Sequence, residues 1–101
     1  MKTFFTVIFS AAVISAISGC ATQKPIPMPD QAMVEKSGVE METLKRGHTI
    51  YLTECSRCHE PVMPTDVSGK DWHLVVPGMA WNAGISEEDE EAVTRYIMAA
   101  R

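Results

Sequence analysis

The sequence predicts an all-α domain. Three observations carry that expectation. Apolar side chains recur at helical spacing over residues 40–54 and again over 92–100; a serine followed by acidic residues opens the second run; and no stretch reads as a convincing strand. The chain has 101 residues, enough for one small domain. Thirteen acidic residues against nine basic ones give a net charge of −4, which excludes a nucleic-acid binder.

The elements follow in order. Met1–Lys2 is a charged start, and Thr3–Ile17 is an almost unbroken apolar run. The run falls short of the roughly 20 apolar residues that span a bilayer. Its length and flanks fit the h-region of a secretory signal. It ends in Ile17-Ser18-Gly19-Cys20, which resembles the lipobox of bacterial lipoproteins: an aliphatic residue, two small ones and a cysteine. The resemblance implies a cleaved signal peptide over 1–19, lipidation of Cys20 and attachment on the periplasmic side of a bacterial membrane. Several acyl chains give stable anchoring where one is marginal. Ala21 stands where an aspartate would resemble an inner-membrane retention signal, so the outer membrane is favoured over the inner.

Residues 20–38 form the expected lipidated N-terminus and flexible tether. Pro25, Pro27 and Pro29 favour extended backbone there. The domain proper is 39–101. Its first helix is expected over Glu40–Glu54, where Met41, Leu44, Ile50, Tyr51 and Leu52 are apolar. Pro61, Pro64 and Gly69 mark Glu60–Lys70 as loop. Asp71–Val76 reads as a short helix running into Pro77-Gly78, with Met79–Ile85 as a connector. Ser86, with Asp89 three residues on, resembles a capping box and starts the last helix. Its five acids, Glu87–Glu91, stand where the helix dipole favours negative charge. They also offer a docking patch for a basic partner.

Cys55-Ser56-Arg57-Cys58-His59 carries the chemistry. C-x-x-C-H reads as c-type haem attachment. Two thiols three residues apart can each add across one vinyl group of the same porphyrin, and the adjacent histidine can bind the iron. Lipidation consumes Cys20, which explains the odd cysteine count in an exported chain. A covalent cofactor also staples a domain too small for a large core. Other readings use the same pair. A thioredoxin-like couple lacks its βαβ surroundings. A zinc site lacks a second Cys/His pair. An ordinary disulfide fits an oxidising compartment.

Residues 40–101 resemble small class I-like, monohaem cytochromes c. Besides the pentapeptide, Gly47 and Tyr51 are similar to the family's first-helix glycine and aromatic, and Tyr96-Ile97 to its last-helix pair. Trp72 through Met79, Gly84 and Glu87-Glu88 resemble short haem domains with a W…V-V-x-x-M stretch. The resemblance implies a helical domain wrapped around one covalent haem c, held by Cys55 and Cys58, with His59 on the iron. It also implies that the first and last helices cross closely at the glycine.

Met79 matches the family's sixth-ligand position in a Pro-Gly loop, and His/Met ligation raises the reduction potential. Met28 and Met33 lie on the tether, Met41 precedes the motif, Met63 follows His59 too closely, and Met98 sits deep in the last helix. His73 is the competing ligand. His48 is expected to face solvent or a haem propionate. Trp81 is expected to wall the haem pocket. Trp72 either walls it or donates to a propionate. Arg57 stands near the exposed haem edge or is simply solvated.

The function these residues imply is a periplasmic single-electron carrier with redox-protein partners, a lipid anchor and no catalytic residue. The alternatives are an electron-transfer subunit of a larger oxidoreductase, and a haem sensor or enzyme with a displaceable sixth ligand. A colourless lipoprotein with a titratable Cys55/Cys58 pair is the non-haem reading.

Overall fold

The computed structural model describes Gly19 and residues 24–101. The apolar run and Cys20 lie outside those residues. Among the described residues there are four α-helices and no strand: α1 (Gln31–Ser37), α2 (Met41–Thr53), α3 (Gly69–Ala83) and α4 (Glu87–Ala99). Short 3-10 turns lie at Cys55–Arg57 and Pro64–Asp66. No described helix is long and apolar enough to cross a membrane.

The core is built on the crossing of α2 and α4. Leu44, Ile50 and Tyr51 turn inward from α2, and Ala92, Val93, Tyr96, Ile97 and Ala99 from α4. Burial of each large apolar side chain is worth about 1.5–3 kcal/mol. Gly47 sets the approach of the two helices. A Cβ at this position would lie 2.6 Å from Cβ of Tyr96 and collide with the Ala92 carbonyl oxygen. Arg46 spans the same crossing to Asp89 at 2.6 Å and to Glu88. These groups are solvated, so the pairs add little stability.

α4 begins where its cap residue stands. The Ser86 hydroxyl accepts from the Asp89 N–H at 3.1 Å. The Asp89 carboxylate meets Arg46 across the crossing, so its role is interhelical as well as local.

α3 is longer than the expected Asp71–Val76. Ser68 caps it, accepting from the Asp71 N–H at 3.1 Å and donating to the Asp71 carboxylate at 2.7 Å. The helix continues through Pro77 and Gly78 and closes on Gly84, whose φ of 68° is left-handed. Pro77 cannot donate to the His73 carbonyl. Both residues are exposed, so water can serve that carbonyl. Trp72, Val76 and Ala80 form one buried stripe on both sides of the proline and hold the two halves in line.

α1 lies in a segment where the sequence reading places no helix. Asp30 caps it by accepting from the Met33 N–H at 2.8 Å, and Gly38 ends it at a φ of 70°. Just upstream, Ile26 packs against the core and the Tyr96 hydroxyl donates to the Pro27 carbonyl at 2.6 Å. The proline-rich stretch is therefore laid along the domain at these two residues.

Candidate functional site

The C-x-x-C-H segment leaves the end of α2 as a tight turn. Arg57 donates to the Ala83 carbonyl at 3.0 Å and so ties this turn to the C-terminus of α3. A guanidinium suits that place, because the last carbonyls of a helix carry partial negative charge. Two buried aromatics hold the loop that follows. The Tyr51 hydroxyl donates to the Val62 carbonyl, and the Trp72 indole N–H donates to the Pro64 carbonyl at 2.9 Å. The two rings meet edge-on with centroids 6.2 Å apart.

These contacts leave an apolar pocket of about 240 Å³. Its walls are Tyr51, Cys55, His59, Pro61, Val62, Val67, Trp72, Val75 and Met79. Three of the sequence-predicted residues thus line one pocket, Cys55 and His59 from the C-x-x-C-H turn and Met79 from α3. Cys58 lies exposed on the same turn and is not among its walls.

The two thiols are free and not joined as a disulfide. Burial, and then the neighbouring Glu54 carboxylate, push the Cys55 thiol up from its ordinary value. Such a thiol stays protonated at neutral pH, the opposite of an activated exchange cysteine. Burial also pushes the Tyr51 phenol up to about 12, so it stays a donor to Val62. His59 Nδ1 lies 2.8 Å from the Glu60 carbonyl. A carbonyl only accepts, so Nδ1 is the donor in this contact and Nε2 is the other ring nitrogen left to meet a ligand. Among the described residues, no three His, Cys, Asp or Glu side chains gather as a zinc site requires.

Other expected residues fall elsewhere. Met79 stands on α3 and not in a loop, because α3 runs through Pro77 and Gly78. His73 is exposed and lines a separate groove with Lys36 and Met98. Met63 borders another groove, with Lys24 and Asp66. Trp81 is 86% exposed and walls nothing, since it points away from the buried stripe of α3. His48 is buried, not solvent-facing: it meets Tyr96 edge-on with centroids 5.2 Å apart, and its Nε2 has no hydrogen-bond partner among the described residues. The close approach at Gly47 draws the neighbouring imidazole inside, and burial lowers its pKa.

Sequence reading did not single out Val62, Val67 or Val75 as pocket walls. It had no local signal for the hydrogen bonds of Tyr51 and Trp72, whose acceptors lie eleven and eight residues away. Comparison with known proteins adds nothing to this geometry: no family model, curated protein or solved structure matches the chain.

Proposed function

We propose that this chain is a periplasmic single-electron carrier, anchored by lipid on Cys20, that holds one c-type haem. Cys55 and Cys58 would carry the two thioether bonds, and His59 Nε2 and the Met79 sulfur would ligate the iron. The observation that supports this reading is the convergence of Cys55, His59 and Met79 on one apolar pocket beside the C-x-x-C-H turn. When bound, the haem supplies reversible one-electron chemistry at its iron.

The remaining work belongs to the chain's own residues. The Glu60 carbonyl accepts from His59 Nδ1, which orients the ring and would leave Nε2 to ligate the iron. Met79 offers a soft thioether, which favours the reduced metal and raises the potential. Tyr51 and Trp72 keep the loop at 62–64 in place and exclude water from one side of the pocket. The pocket is smaller than the roughly 300–1,000 Å³ of sites that enclose a small molecule. It suits a group fastened by covalent bonds, with part of it left in solvent.

The test is to mature residues 21–101 with a haem-c attachment system in a periplasm and record spectra. The expected result is haem that survives acid–acetone extraction, sharp bands on reduction, and a weak far-red sulfur-to-iron band in the oxidised form. Met79→Ala should abolish that band and lower the potential while the haem stays attached. A colourless product would overturn the proposal. Retention of the far-red band in Met79→Ala would remove Met79 from the ligand set.

A further inference from the structure

The segment that leads into α1 is fastened to the domain at several points. Ile26 packs against the core, and Pro27 accepts from the Tyr96 hydroxyl at 2.6 Å. α1 itself packs on α2 and α4. At its end the Lys36 ammonium donates to the Arg101 carbonyl, and Arg101 Nε donates to the Val67 carbonyl at 3.1 Å. Upstream, Lys24 and Ile26 form one side of an open groove of about 570 Å³, and the loop at 60–66 forms the other. The chain therefore enters the domain beside that loop.

We infer that this docking shortens the leash between Cys20 and the domain, and so holds the loop at 60–66 at the surface of the membrane that carries the anchor. The inference rests on lipidation of Cys20, which belongs to the function proposed above. Chain length carries it. Cys20 stands six positions before Ile26. An extended chain advances at most about 3.6 Å per residue, so Ile26 lies within roughly 22 Å of residue 20. An undocked segment from Cys20 to Gly38 would reach roughly 65 Å by the same rule.

The groove has the chemistry of a surface that rests at lipid headgroups and stays out of the acyl layer. Pro61, Val62, Met63 and Pro64 are uncharged, and Lys24 offers a cation to lipid phosphates. Glu60 and Asp66 bracket the loop, and burying a carboxylate in an apolar layer is costly. The leash sets the distance, and insertion of the loop does not. Pro61 and Val62 wall both the groove and the candidate pocket, so the pocket lies one loop away from the membrane side. An electron-transfer partner must then meet this domain at the surface of the same membrane.

The experiment places the mature chain, residues 20–101, on nanodiscs whose lipid headgroups carry a nitroxide, and records the methionine methyl signals of the reduced protein. The N-terminal amine and thiol of Cys20 are condensed with an aldehyde-bearing lipid. The leash is thereby tested whatever a cell attaches to that residue, and the mass of the chain isolated from cells tests lipidation separately. The expected result is loss of most of the Met63 signal. A spacer of about twelve Gly and Ser residues between Ala21 and Thr22 adds roughly 20 Å of mean span and leaves every docked residue in place. It should restore the Met63 signal. Ile26→Asp combined with Tyr96→Phe undocks the segment and should restore it without a spacer. A Met63 signal unaffected by the nitroxide in the original chain would overturn the inference. Continued loss with the spacer would also overturn it, because the loop would then bind lipid by itself. Continued loss in the undocked variant would show that docking at Ile26 and Pro27 does not set the distance.

Discussion

The two sides of α2 are built differently. Toward α4, the helix is locked by a glycine that admits no further atom, and its apolar side chains pack directly against those of α4. Toward α3 and the loop at 59–67, the chain encloses a pocket, and two aromatic side chains hold the loop by single hydrogen bonds. The first side is closed by direct contact between two helices. The second leaves apolar walls that the polypeptide alone does not fill. In a domain of this size, a covalent group on that side would complete the core as well as do the chemistry.

The largest expected effect tests the closed side. Gly47→Val should cost about 3 kcal/mol or more, because the added carbons meet the Ala92 backbone and cannot be relieved by a rotamer change. Helix propensity alone favours replacing a glycine by up to about 1 kcal/mol, so the sign of the measurement decides which effect wins. Urea unfolding followed by circular dichroism reads it. A neutral or stabilising outcome would mean that the crossing is looser than described.

A smaller effect tests the open side. Trp72→Phe keeps the ring in the core but leaves the Pro64 carbonyl without its donor, at about 1–3 kcal/mol. Hydrogen exchange should show the loss in residues 61–67, with the amides around Gly47 still protected. Equal loss of protection in both regions would erase the contrast between them.

The smallest effect is a pH slope from His48. Its folded pKa is lowered by burial, so the unfolded chain binds the proton more readily. Stability from this group is fully present above the ordinary histidine value of about 6.5 and is lost as pH falls through it toward the lower folded value. His48→Phe should flatten this part of the stability–pH profile. An unchanged slope would assign the acid sensitivity to other groups.

Much of the helical layout was legible because its signals are local. The apolar spacing of 40–54 marked α2 to within a residue at each end, and Ser86 marked the start of α4. α1 had signals as well, Asp30 before it and Gly38 after it, but the run of prolines upstream favoured an extended reading. α3 misled for a physical reason. Pro77 removes one hydrogen bond, and sequence shows that loss without the buried stripe that offsets it. The structure moves Met79 from the expected loop onto α3 and leaves it at the pocket.

The sequence by itself determined the chemistry it offers: the Cys55, Cys58 and His59 spacing, the candidate sulfur of Met79, the acidic balance and the helical class. Those properties depend on residue identity and short-range periodicity. Only the tertiary structure decided which side chains share a space. It turned His48 inward and Trp81 outward, sent the Trp72 indole to Pro64, and separated His73 from the pocket that Met79 lines. Such outcomes depend on how closely two helices approach and which face each presents, and that is fixed by packing between residues far apart in the chain.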